Sequence, residues 1–107
     1  MELPIEQEVQ AKLKRRYLER LAQKVKKIRR DLLERNWQQL RIESHHLRES
    51  ADSFGFSDLA NRAEQAGNTI PQGNLSKAKI LPGARIAFEN LTSAIDDLLT
   101  ENSIYRD

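Results

Sequence analysis

Trp37-Gln38-Gln39-Leu40-Arg41-Ile42-Glu43-Ser44-His45-His46-Leu47-Arg48-Glu49-Ser50-Ala51-Asp52-Ser53-Phe54-Gly55 is the stretch whose rhythm decides the fold. Within it Trp37, Leu40, Ser44, Leu47, Ala51 and Phe54 recur at steps of 3, 4, 3, 4 and 3. Those steps put apolar and small residues on one face of an α-helix and are foreign to the two-residue alternation of a strand. Asn36 stands before the stripe as a candidate N-cap. Gly55 follows it as a residue suited to a left-handed C-terminal cap.

Working outward, Leu18, Leu21, Val25, Ile28 and Leu32 repeat the rhythm at steps of 3, 4, 3 and 4, within an arc of about 80°. They predict a helix over roughly residues 10–35. Residues 4–9 are either its first turns or a separate short helix opened by Pro4. Downstream, Leu59, Ala63 and Ala66 predict a short third helix, capped by Ser57 or Asp58 and stopped by Gly67-Asn68. Residues 67–76 contain Gly67, Asn68, Pro71, Gly73 and Asn74 and read as a loop. Ala84, Phe88, Leu91, Ile95 and Leu98 predict the last helix. Pro82 either begins it or kinks a longer one that Ile80 and Leu81 extend backward and Ser76 caps. Four amphipathic helices predict an all-α fold over residues 1–107 as one domain. Its expected form is an antiparallel four-helix bundle with a short N-terminal helical extension.

The composition agrees: 38% hydrophobic and 32% charged residues, with four glycines and three prolines, suit helices around a modest core rather than many strands and turns. No run approaches the roughly 18 apolar residues of a membrane span. Met1–Glu6 has neither the basic head nor the apolar stretch of a secretory signal. A cytoplasmic setting without membrane contact is therefore expected. The lack of cysteine excludes disulfides, thiolate chemistry and cysteine-based zinc sites. The net charge is only +2, yet Lys12 to Arg35 holds eleven basic residues against Glu19, Asp31 and Glu34. Such a helix is a solvated face or a surface that steers an acidic partner. A nucleic-acid binder would add a reading helix, a stacking aromatic set or a zinc motif; none is present, and no nucleic-acid partner is expected. With no exposed apolar stripe apparent in the sequence, a monomer is expected.

Both histidines, His45 and His46, lie in the opening stretch. Helical geometry sets each about 130° from the centre of the apolar stripe, on opposite sides, so neither faces the core. Their neighbours differ. Arg41 at i−4 and Arg48 at i+3 flank His45, whereas His46 has Ile42 at i−4, Glu49 at i+3 and Ser50 at i+4. An exposed imidazole titrates near neutrality and keeps a nucleophilic neutral fraction. Phosphoryl transfer needs positive charge around the equatorial oxygens, and two guanidiniums supply it. His45 is thus the better phosphoryl acceptor. Tyr17 and Trp37 read as packing residues and Asp96-Asp97 as surface. Ser50 has no accompanying base or oxyanion-hole motif.

The run from His45 to Gly55 resembles the signature of histidine-containing phosphotransfer (HPt) domains. That signature is a His, any residue, Leu, Lys, Gly and then small residues, ending on an aromatic or apolar residue and Gly ten positions after the His. Counted from His46, the Leu, the cation and the Gly all fall out of place. The resemblance covers roughly residues 13–101. It implies an antiparallel four-helix bundle, no ATP site and no kinase activity of its own. It further implies His45 as phosphoryl carrier and Arg48 in the usual Lys position. Receiver domains would dock over Gln38, Arg41, Glu49 and Asp52, together with residues of the third helix. The resemblance implies no cofactor and no metal of the chain's own, the Mg²⁺ belonging to the receiver. Glu49 departs from the pattern, standing where the family has a small residue. Its carboxylate would repel phosphoryl oxygens and compete for Arg41, Arg48 or His45. The alternative reading is therefore a degenerate HPt-like adaptor that binds a receiver without carrying phosphate.

Overall fold

Each of the four apolar rhythms becomes a helix: α1 (Ile5–Leu33), α2 (Trp37–Ser53), α3 (Ser57–Asn68) and α4 (Pro82–Glu101). The computed structural model describes residues 5–73, 75–76 and 79–104, and none of these is in a strand. Helix α1 packs on α2 and α4, and α3 packs on the same two. Leu21, Val25 and Ile28 of α1, Leu40, Leu47 and Ala51 of α2, Ala63 and Ala66 of α3, and Phe88, Leu91, Ile95 and Leu99 of α4 fill one core. Each is at most 1% exposed. Trp37 and Tyr17 are buried with them, as the stripes require.

Several local features differ from the sequence reading. Helix α1 is one continuous helix of 29 residues, so residues 5–9 are its first turns. Its buried stripe starts only at Tyr17, and residues 7–16 are exposed throughout. Leu32 is half-buried rather than buried, packed against the edge of the core. The N-cap of α3 is Phe56, not Ser57 or Asp58, and no side chain caps it. Instead the Phe56 N–H donates to Ala51 O at 2.8 Å and its ring stacks on Tyr17. Gly55, at φ +82°, makes the reversal that allows this. Helix α4 starts at Pro82, whose fixed φ suits a first helical position, and Ile80 and Leu81 do not extend it. Leu99, not Leu98, is its last fully buried residue.

Gly67 does not stop α3; it lies inside the helix, buried against α2. A Cβ at this position would overlap Ser44 Oγ and come within 3.3 Å of Ser44 Cβ. The small pair Ser44–Gly67 thus sets how closely α2 and α3 approach. Gly67→Ala is expected to lower stability by about 1 kcal/mol: overpacking costs roughly 1–3 kcal/mol, against a helix-propensity gain of about 1 kcal/mol. Adding Ser44→Ala removes the clashing hydroxyl and should recover most of that loss. Urea unfolding of the single and double variants checks both.

One polar cluster holds α1 to α2. Glu43 is buried at 5% exposure, yet its carboxylate accepts hydrogen bonds from Lys24 Nζ at 2.6 Å, Lys27 Nζ at 2.7 Å and Gln39 Nε2 at 3.0 Å. Burial pushes its pKa up, but the two ammonium groups and the amide outweigh this and bring it down to about 2. The neighbouring Asp31 is also buried, and burial raises its pKa despite Lys27. Its Oδ2 has no hydrogen-bond partner among the described residues.

Candidate functional site

His45 projects from the middle of α2 with its side chain 58% exposed. It opens onto a groove of about 650 Å³ between α2, the C-terminal half of α3 and the segment that follows. Helix α2 contributes Gln38, Arg41, Ile42, His45, His46 and Arg48 to its walls. Across from them, α3 contributes Glu64 and Asn68, and Pro71 and Gly73 close the far side. The i−4 and i+3 spacings do what the sequence requires: Arg41, Arg48 and His45 share one groove.

Arg41 and Arg48 are both half-buried, and neither has an ion-pair partner among the described residues. This leaves two guanidiniums, ten N–H donors by their chemistry, turned to one concave surface, where Glu64 in the facing wall pairs with neither. Such an arrangement favours an anion whose oxygens spread in more than one direction. The imidazole beside them offers a nucleophilic nitrogen. The two histidine rings lie 6.2 Å apart, too far to share a proton directly.

Glu49 takes a specific place. Its Oε1 lies 2.6 Å from His45 Nε2, while it contacts neither arginine. Of the competitions open to it from sequence, the structure shows the one with the histidine. Both side chains are more than half exposed, so the pair is worth only about 0.3–0.5 kcal/mol and opens by rotation of a flexible side chain.

Of the other positions singled out from sequence, Gln38 lines the groove beside Arg41. Asp52 is exposed and does not line it, because the groove ends a turn earlier at Arg48. Glu64 and Asn68 went unrecognised, since only the packing of α3 on α2 brings them opposite His45. Ile42, 43% exposed in the groove wall, gave a signal in sequence: an apolar residue off the stripe, four before His46. Among the described residues no three His, Asp or Glu side chains gather as a metal site. No described helix is long and apolar enough to cross a membrane. Comparison with protein-family models, with curated proteins and with solved structures finds no match to this chain.

Proposed function

We propose that the chain is a histidine phosphotransfer protein on an antiparallel four-helix bundle, carrying a phosphoryl group on His45 between receiver domains of a multistep phosphorelay. The antiparallel arrangement is supported by cross-helix contacts whose numbers run in opposite senses: Tyr17 with Ser50, and Lys24 with Glu43. The phosphotransfer reading rests on one observation: an exposed His45 shares a groove with two unpaired guanidiniums. In the forward step a His45 nitrogen attacks the phosphorus of a receiver's aspartyl phosphate. The N–P bond forms as the O–P bond breaks, and the aspartate carboxylate leaves. Arg48 and Arg41 stabilise the charge spread over the equatorial oxygens. Mg²⁺ comes with the receiver, and the chain acts as a carrier, not as a kinase. The setting is cytoplasmic.

The test is to incubate the purified chain with a panel of phosphorylated receiver domains and Mg²⁺. Acid-labile, base-stable phosphate on the chain is expected. A chain that stays unlabelled across a broad panel and binds none of its members overturns the proposal.

The contact of Glu49 with His45 Nε2 favours a second reading, a degenerate adaptor that binds receivers without accepting phosphate. Glu49→Gly separates the two. On the carrier reading the variant accepts phosphoryl groups no more than about tenfold faster, since only a weak surface pair is removed. On the adaptor reading transfer rises from nothing. Rapid-quench assays of phosphohistidine in the two chains distinguish these outcomes.

A further inference from the structure

Beyond the histidine groove, two surfaces at the opposite end of the molecule lack partners, and their chemistry is complementary. The first is the overhang of α1. Val9, Lys12, Leu13 and Arg16 fall at i, i+3, i+4 and i+7 and so share one helix face. Val9 is 48% and Leu13 46% exposed, and all four residues stand clear of the core, whose α1 stripe begins at Tyr17. The monomer expected from sequence assumed no such stripe.

The second surface is a groove of about 510 Å³ between the start of α3 and the end of α4. Phe56, Leu59, Ala94 and Leu98 form its apolar floor, and Asp97 and Glu101 its rim. These two carboxylates lie one helical turn apart, both exposed, with no cationic partner among the described residues. The groove's one arginine, Arg62, is engaged by Asp58 at 3.3 Å. Both surfaces lie at the same end of the molecule: Tyr17 stacks on Phe56, and Lys14 Nζ sits 4.9 Å over the Phe56 ring, where the overhang departs.

We propose that the chain self-associates through this end, the α1 overhang of one copy seating in the α3–α4 groove of a second. Val9 and Leu13 meet the apolar floor, and Lys12 and Arg16 meet Asp97 and Glu101. Because each copy carries both halves at one end, a two-fold axis satisfies both contacts at once and the assembly closes as a dimer. Lys14 already covers one side of Phe56, and helical geometry sets Val9, Lys12, Leu13 and Arg16 on the face of α1 turned away from it, so this face does not reach its own groove. The overhang is about 18 Å long, so the buried area is below that of a permanent dimer and the association is reversible. The dimer shares no residue with the His45 groove, and the proposal stands independently of phosphotransfer.

Sedimentation velocity of the full chain over a wide concentration range tests this. Self-association is expected, weakening as salt rises. Lys12→Glu/Arg16→Glu and Asp97→Lys/Glu101→Lys should each weaken it at least about tenfold, by setting like charges against each other. All four residues are exposed, so both variants keep their helicity, which circular dichroism verifies. The decisive arm mixes the two variants: each alone is repelled, while together both contacts are restored and a heterodimer forms. A wild-type chain that stays monomeric up to about 1 mM overturns the proposal. So does self-association insensitive to both reversals, or a mixture of the two variants that stays monomeric.

Discussion

Substitution of His45 by glutamine is expected to abolish acid-labile phosphorylation while leaving the helical fold intact. The side chain is more than half exposed and its one polar contact is the surface pair with Glu49. Its removal should therefore change stability by no more than about 0.5 kcal/mol. The nucleophilic nitrogen, by contrast, has no substitute: a glutamine amide cannot form the N–P bond. His46→Gln provides the control. His46 borders the same groove, but Ile42 and Glu49, not Arg41 and Arg48, stand at its i−4 and i+3 positions. Labelling should persist in that variant within a fewfold of wild type. Loss of label in His46→Gln with retention in His45→Gln would move the acceptor to the wrong histidine and sink the assignment. Arg48→Ala should fall between the two, slowing transfer by about 10²-fold through the loss of one charged donor.

The second large effect concerns stability in acid. Glu43 has a folded-state pKa of about 2 against an ordinary value of 4.5. This corresponds to about 3 kcal/mol favouring the native state while the carboxylate is charged. Between those values the unfolded chain holds the proton and the native chain does not. The contribution is complete above pH 4.5 and is lost as pH falls through about 2. Asp31 acts in the other sense. Its folded pKa is raised, so the native state takes up the proton first and gains stability as pH drops toward its ordinary value. Stability should therefore hold or rise slightly on mild acidification and then fall steeply.

Lys24→Met/Lys27→Met should reverse that acid limb. It leaves the Glu43 carboxylate buried with Gln39 as its one remaining side-chain donor among the described residues, costing about 3–5 kcal/mol at neutral pH. Burial then dominates, the Glu43 pKa rises, and acidification stabilises the variant. Glu43→Gln removes the charge together with its demand for partners and should cost only about 1–2 kcal/mol. Urea unfolding of the three chains between pH 2 and 7 measures these differences. A double variant that still loses stability on acidification would show that the two lysines do not carry the effect.

How much of this was legible in the sequence follows from what each feature depends on. Helix faces depend on spacing alone, and the stripes from Leu18 to Ile28 and from Trp37 to Ala51 are buried as their steps require. The sharing of one groove by His45, Arg41 and Arg48 was legible for the same reason, since all three lie on one helix. Features that depend on a second helix were not legible. Nothing in the sequence marks Glu43 for burial; only α1 brings Lys24 and Lys27 to it. Gly67 carries the ordinary signal of a helix stop, and its use as a close-approach residue appears only with Ser44 opposite. Phe56 stands at the N-cap where a polar residue was expected, and its ring stacks on Tyr17, a contact that exists only once α1 is packed in place.

Trp37, the chain's one tryptophan, donates its indole N–H to Lys79 O at 2.9 Å. That bond fastens the stretch between α3 and α4 to the first turn of α2, and the same stretch supplies Pro71 and Gly73 to the histidine groove. The indole is thereby a built-in optical reporter. Its emission is expected to stay blue-shifted while the strap is seated and to move red when Lys79 lets go. A partner that draws Lys79 away from Trp37 would announce itself in the fluorescence of the unlabelled chain, in real time.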